Sequence, residues 1–371
     1  MKCLNYGSSV DAKMSSNRLY SYPTEKRIEL VKGVSLYKNT PLLELAAAAD
    51  SFRRSKNPGE TVTYILDRNI NYTNICSSGC EFCAFYTVPG SDGGYVLSED
   101  DLFDKIEETM NLGGTQILLQ GGLNPHLGLS YFEGLFKKIK DSYKIHLHAL
   151  SPPEIVYLSK SEAISIRAVV KRLIDSGLDS IPGGGAEILV DRVRKQLSPN
   201  KCSSDEWLEV MRIAHNLGLK TTATMMFGHI ETIEERVEHL EKIRRLQDKT
   251  GGFTAFIPWT YQPGTDTIQV EKCSSIEYLR TLAFCRLYLD NIPHIQVSWV
   301  TQGVKIAEIG LSYGADDFGS LMIEENVVRA AGADFRMTEE EIVSCINAMG
   351  LTPKRRDLFY NIIGEPLCPQ N

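Results

Sequence analysis

Three cysteines fall within eight residues, in Cys76-Ser77-Ser78-Gly79-Cys80-Glu81-Phe82-Cys83. This spacing is one ligand short of the four-cysteine set that saturates an iron–sulfur cube. Three thiolates, from Cys76, Cys80 and Cys83, would hold three irons of a [4Fe–4S] cluster and leave the fourth open for a second ligand. A zinc site is the competing reading. Structural zinc sites bring paired CxxC or His motifs, and no second pair occurs in this chain. Phe82, between the last two cysteines, is either packing or a flat face for a cofactor's base. The other six cysteines (Cys3, Cys202, Cys273, Cys285, Cys345 and Cys368) stand alone. They read as reduced thiols rather than a disulfide framework.

Glycine-rich turns are the second chemical signal. Gln120-Gly121-Gly122, Gly183-Gly184-Gly185-Ala186-Glu187 and Gly228-His229-Ile230-Glu231 each follow an extended run. Glycine there permits positive φ and close backbone approach to a ligand; alone, each is also an ordinary turn. Glu187 is either a ligand contact or a loop carboxylate paired with Arg192 or Arg194. In Ile145-His146-Leu147-His148-Ala149-Leu150 both histidines fall on one face of a strand, opposite the aliphatic residues. They read as buried hydrogen-bonding groups, a metal pair, or a substrate contact and proton acceptor, with His148 nearer the strand's end. Glu154, in Ser151-Pro152-Pro153-Glu154, is a further acid–base candidate or a carboxylate at a helix start. Two segments join aromatic rings to polar handles: Ile257-Pro258-Trp259-Thr260-Tyr261-Gln262-Pro263 and Ser298-Trp299-Val300-Thr301-Gln302-Gly303. Trp259, Tyr261, Trp299 and Gln302 would suit an aromatic substrate carrying a sugar. Trp207, within a helical pattern, reads as core.

Elements that could position these groups recur along the chain. Extended apolar or β-branched runs lie at 63–69, 115–120, 145–150, 178–181, 221–227, 253–259, 295–300 and 316–321. Amphipathic helices separate them, opening at Ser98, Thr232 and Ser274 with capping residues and closing at Gly113-Gly114, Gly177, Gly218 and Gly251-Gly252. The expected fold is α/β, a parallel (β/α)8 TIM-type barrel with a helical N-terminal extension. A doubly wound sheet is the alternative, but the opening turn lacks a GxGxxG fingerprint. The expected division is a mobile tail at 1–23, a helical extension at 24–60, the barrel at 61–335, and a C-terminal helical segment and tail at 336–371.

The chain has 371 residues with 40 basic and 47 acidic side chains, a net charge of −7. A broad nucleic-acid surface is not expected. No apolar run reaches the length of a membrane span, and the start lacks the apolar core of a signal peptide, so a cytoplasmic enzyme is expected.

The cysteine motif at the end of the first strand resembles that of the radical S-adenosylmethionine (SAM) enzymes. The resemblance implies that the open iron chelates SAM and that one electron cleaves it to a 5′-deoxyadenosyl radical. Gln120, Gly121 and Gly122 match the SAM-amino turn, although Leu123 stands where an acidic residue is usual. Gly228 and Ile230 resemble the adenine-contacting segment, without its second glycine, and Glu187 resembles by location an acidic residue on the SAM ribose. Asp67 to Asn74, Cys83-Ala84-Phe85-Tyr86 and the Gly183–Glu187 segment look like enzymes of the futalosine menaquinone route and their deazaflavin-cofactor relatives. Segments 257–263 and 298–303 look specifically like the dehypoxanthine futalosine cyclases. The resemblance spans about 310 residues, from near Lys26 to about Phe335.

That family implies dehypoxanthine futalosine as substrate. Hydrogen is taken from the ribose C4′, the carbon radical attacks the benzoate ring, and a proton and an electron then leave. Gly183, Gly184 and Gly185 would join the aromatic segments around the substrate, and His148 or Glu154 would take the proton. The resemblance also implies an electron donor such as flavodoxin or ferredoxin. Aminofutalosine synthase or a deazaflavin-precursor synthase is the alternative within the superfamily. A non-catalytic Fe–S or zinc protein is the alternative outside it.

Overall fold

A computed structural model describes residues 27–264, 268–333 and 335–364. Cys3 and Cys368, and the tail at 1–23, lie outside the described residues.

Two helices come first, α1 (Leu30–Asn39) and α2 (Leu42–Lys56). The second ends where the Asn57-Pro58-Gly59 breaker stands, as the sequence predicts. Then come β1 (Thr61–Ile65), β2 (Asp67–Asn71), β3 (Gln116–Gln120), β4 (His146–Ala149), β5 (Ser180–Ile181), β6 (Lys220–Phe227), β7 (Phe253–Thr260), β8 (His294–Ile295), β9 (Asp317–Ser320) and β10 (Thr352–Arg355). Strands β2 to β8 form one parallel sheet in chain order, with helices between them. The run expected at 63–69 is β1 and β2, broken at Leu66.

Strand β9 brings the sheet round to its start. It pairs in parallel with β1, and Gln296, just past β8, bridges to Asp317. Beyond β9 the chain continues along β2, with Ile323 N–H donating to the Asp67 carbonyl (3.1 Å) and Asn69 N–H to that of Glu324 (3.3 Å). The architecture is the parallel barrel expected from the β–α rhythm.

Two elements depart from the sequence reading. Residues 295–300 are not one strand: β8 stops at Ile295, and Trp299–Gln302 forms a single helical turn ending at Gly303, whose φ is +80°. Strand β10 was not expected. It pairs with the other edge of β1, Thr61 opposite Thr352 and Tyr64 opposite Arg355. The helix Glu339–Ala348 leads into it.

The core follows from alternation. In β4, Leu147 and Ala149 are fully buried, while on the other face His148 lines the barrel cavity and His146, half-buried, lies at the strand's start beside a surface cleft. The helices cap as their sequences indicate: the Ser98 hydroxyl accepts from Asp101 N–H, and Thr232 and Glu235 form a reciprocal capping box.

Candidate active site

The cysteine loop follows β2, at the C-terminal mouth of the barrel. Its backbone is stitched on both sides. Cys76 N–H donates to the Thr87 carbonyl (2.9 Å) and Ser77 N–H to that of Leu123 (3.0 Å), while Glu81 N–H reaches the Leu197 carbonyl (2.8 Å). The sulfurs already receive donors. Ser78 N–H and Leu123 N–H point at Cys76 Sγ (3.4 and 3.3 Å), and the Ser78 hydroxyl lies 3.2 Å from Cys80 Sγ. Such donors suit thiolates that carry negative charge on a metal cluster. Among the described residues no three His, Cys, Asp or Glu side chains converge on a single ion.

The turn after β3 is pressed against this loop. A Cβ at Gly122 would lie 2.2 Å from the Ile75 carbonyl oxygen and 2.8 Å from Cys76 Cβ; one at Gly121 would strike the Tyr72 ring at 2.6 Å. Glycine is therefore required by the approach of backbone to the cluster loop. The turn is held from below by Glu154. Its Oε1 accepts from Tyr72 Oη (2.7 Å) and Gly121 N–H (3.1 Å), and its Oε2 from Ser151 N–H (2.6 Å) and Ser151 Oγ (2.5 Å). Burial raises the carboxyl's pKa against these hydrogen bonds. With both oxygens engaged, and away from the barrel cavity, Glu154 is a positioning group. The helix-start reading is the one its geometry supports.

Glu187 is fully buried beside Cys80. Its Oε1 accepts from Lys201 Nζ at 2.9 Å; its Oε2 lies 3.5 Å from Arg194 Nη1 and has no hydrogen-bond partner. Burial pushes this carboxyl up, but Lys201 and Arg194 outweigh it and hold it ionised. An ionised buried oxygen without a donor wants one, and ribose hydroxyls are donors. Lys201 also lies over the Phe82 ring, 5.0 Å from its centroid. Gly228, at φ +86°, and His229 both donate backbone N–H to Glu231 (2.7 and 2.9 Å). Arg236 Nε holds Glu231 in turn at 2.7 Å. Thus the turns after β3, β5 and β6 and the cysteine loop gather at one mouth.

Below them the barrel encloses a cavity of about 290 Å³. Of the residues singled out in the sequence, Gln120, His148, Gly183, Gly184, Trp259 and Trp299 line it. Gly185, Tyr261 and Gln302 do not. Tyr261 is buried, and Gln302 Nε2 donates to Thr260 Oγ1 at 2.6 Å. Gly185 sits at φ +70° against the Pro153 ring. Trp207 is core, as expected, and its Nε1 fixes the Gly184 carbonyl (3.1 Å). Arg192 pairs with Glu235, and Arg194 is spent on the carbonyls of Gly185, Ala186 and Cys202. Neither these nor Lys201 lines the cavity.

Sequence reasoning gave no site role to several charged or polar lining residues, among them Asp67, Asn69, Glu325 and Arg356. The first two were legible as the alternate polar positions of β2. Burial raises the pKa of Asp67 and of Glu325. Arg356 pairs with Asp317 through Nε (2.5 Å) and Nη2 (3.0 Å).

Comparison with known proteins bears on this arrangement. Residues 70–243 match the family model for the radical SAM superfamily, and residues 250–367 match one described as the CofH/MqnC C-terminal region. A cyclic dehypoxanthine futalosine synthase from Streptomyces coelicolor is 44% identical over 339 residues, 90% of this chain and 85% of that protein. The chain belongs to the radical SAM superfamily. A second relative carries another name: a 5-amino-6-(D-ribitylamino)uracil–L-tyrosine 4-hydroxyphenyl transferase from Methanococcus aeolicus is 39% identical over 88% of this chain and 93% of that one. Among solved structures, methylornithine synthase superposes with a TM-score of 0.69 at 18% identity, over 89% of this chain and 95% of that one. This last likeness is one of fold. Radical SAM membership implies a [4Fe–4S] cluster and SAM. The donor-ringed cysteines, the side-chain-free approach at Gly122 and the unpartnered Glu187 oxygen fit both groups. No described helix is long and apolar enough to cross a membrane.

Proposed function

We propose that this radical SAM enzyme cyclises dehypoxanthine futalosine, joining ribose C4′ to the benzoate ring. The observation that carries the reading is the cavity under the cysteine loop. It is lined by Trp259 and Trp299, by hydrogen-bonding groups such as Gln120 and Asn69, and by His148, whose pKa burial lowers. A substrate part sugar and part arene needs both kinds of surface.

Cys76, Cys80 and Cys83 would hold the cluster, Glu187 the SAM ribose, and the Gly121–Gly122 and Gly228–Ile230 turns the two ends of SAM. The cluster and SAM together supply a carbon radical able to remove hydrogen from an unreactive C–H. The chain's own residues hold sugar and arene at reacting distance and exclude water. After the ring closes, the substrate has given up one hydrogen atom and must still lose one proton and one electron. His148 faces the cavity and is uncharged at neutral pH, so it is the base. The electron's acceptor would be the cluster held by Cys76, Cys80 and Cys83. The first priming electron comes from a flavodoxin- or ferredoxin-type donor.

The test is anaerobic incubation of reconstituted protein with dehypoxanthine futalosine, SAM and dithionite. A product two hydrogens lighter than the substrate, formed with one 5′-deoxyadenosine, is expected. Failure to form it removes the reading. The relatives named as hydroxyphenyl transferases favour a second reading. A parallel incubation with 5-amino-6-(D-ribitylamino)uracil and tyrosine decides between the two.

A further inference from the structure

Strand β5 is two residues long, and its register sets Ser180 directly opposite His148. Ser180 is fully buried. Its hydroxyl touches two imidazoles at once: His148 Nδ1 at 2.6 Å and His146 Nε2 at 2.7 Å. A hydroxyl has one proton to give and lone pairs to accept with. Among the described residues Ser180 Oγ has hydrogen bonds to these two rings alone, so its proton goes to one ring and a lone pair accepts from the other. The two possible arrangements differ only in where protons sit along the line. His148 lines the barrel cavity. His146, two residues earlier in the strand, lines an open surface cleft formed by residues 140–146 and Asp179. The line thus has one end at the reacting centre and the other in water, at the face opposite the cysteine loop.

We propose that His148, Ser180 and His146 form a proton relay that carries the substrate's proton out through the bottom of the barrel. This rests on the cyclisation reading and deepens it. The starting arrangement has His148 donating from Nδ1 to Ser180 Oγ, and Ser180 donating to His146 Nε2. The free lone pair of His148 Nε2 then accepts the proton from the cyclised substrate. The Nδ1 proton passes to Ser180 Oγ, the hydroxyl proton passes to His146 Nε2, and His146 releases its Nδ1 proton to water. One proton enters and one leaves, and no electron moves along the line. After product departs, His148 Nε2 gives its proton to water in the emptied cavity, His146 Nδ1 takes one from water in the cleft, and the two bridging protons shift back, which restores the starting arrangement. Burial is the largest influence on both rings and lowers both pKa values, so each stays neutral and able to accept. The charges around them are Arg356 and His146 toward His148, and Asp179, Lys140 and Asp357 toward His146. Lys140 is neutralised by Asp179 at 2.7 Å.

The test uses reconstituted holoenzyme with His146→Gln and Ser180→Ala. Glutamine keeps a donor and acceptor for Ser180 but cannot pass a proton on. Both variants should form 5′-deoxyadenosine at the wild-type rate. The ratio of cyclised product to 5′-deoxyadenosine should fall about tenfold or more, and an organic radical should accumulate in the EPR spectrum. Added imidazole should restore the ratio in His146→Gln and not in Ser180→Ala. Wild-type ratios in both variants would overturn the relay. Nitrogen NMR of histidine-labelled protein without SAM or substrate gives an arm independent of turnover. Both rings should read as neutral Nδ1–H tautomers at pH 7, and Ser180→Ala should change both. Rings that ignore Ser180→Ala would equally overturn the relay. Wild-type protein that makes no cyclised product would instead sink the cyclisation reading, with the NMR arm still deciding the relay.

Discussion

At the residue scale the chemistry depends on which side chains are spent and which are free. From sequence His148, on its strand, and Glu154, at the following helix start, were both candidates for the base. The structure separates them by hydrogen bonds. Glu154 gives both oxygens to the Gly121 turn, Tyr72 and Ser151, whereas His148 gives only Nδ1 to Ser180. Glu154→Gln is therefore expected to lower stability by about 1–3 kcal/mol, since it leaves buried donors poorly matched. It should also raise the SAM concentration needed for half-maximal rate and leave the ratio of product to 5′-deoxyadenosine unchanged. Urea unfolding and a SAM titration check this; a base would show the reverse pattern. Buried histidines elsewhere set the acid limit. His215 bonds Thr250 and Thr221 at 2.7 Å each and has its pKa lowered to about 4, by burial and then by Lys220. A depressed histidine contributes stability that is complete above its unfolded pKa of about 6.5 and lost as pH falls toward about 4. His215→Gln should flatten the decline of Tm with pH across that window. A slope equal to wild type would show that His215 is not responsible.

At the element scale, much was legible because strand alternation and glycine placement are strict signals. The two histidines of β4 share one face, as the period of two requires, both meeting Ser180 Oγ, and the glycines after β3, β5 and β6 do gather at one mouth. Where the reading went astray, the local signal was ambiguous. Residues 298–302 carry the aromatic and β-branched character of a strand, yet Gly303 at φ +80° lets the chain close a helical turn. Strand β10 is four residues, polar, and contains Pro353, which marks it against a strand by composition. It is possible only as an edge strand on β1. Gln302 and Tyr261 were expected in the pocket from their residue types at strand ends and from the resemblance of their segments, and neither signal says which way a loop turns. The contact between the β3 turn and the cysteine loop gives a sharp prediction. Gly122→Ala forces the Ile75 carbonyl aside, an overpacking of about 1–3 kcal/mol. The reconstituted variant should hold less iron per chain than wild type, with the fold retained by circular dichroism. Full iron content would show that the approach is not needed for the cluster.

At the scale of the whole molecule, the family was legible because cluster chemistry confines cysteines to one short loop, and that loop needs no long-range information. The charged residues lining the cavity were hidden because their partners come from distant segments. Arg356 is the clearest case. It lies 39 residues from Asp317, and the two form a buried pair inside the barrel. Arg356→Ala leaves the Asp317 carboxylate buried without its cation, at about 3–5 kcal/mol. Denaturant midpoints should report that loss. Asp317→Asn together with Arg356→Met should recover most of it, since removing both charges removes the penalty.

Strand β10 ties the last described segment of the chain to the first strand of the barrel, Thr352 beside Thr61. During synthesis the ribosome adds about 5–20 residues per second. The residues separating these partners therefore take on the order of 15–60 s to appear. For all that time one edge of β1 has no partner from this chain, and an open edge is a template for pairing with other chains. The cysteine loop emerges early in the same interval. The cluster-forming cysteines are thus synthesised long before the barrel's first strand gains its last partner.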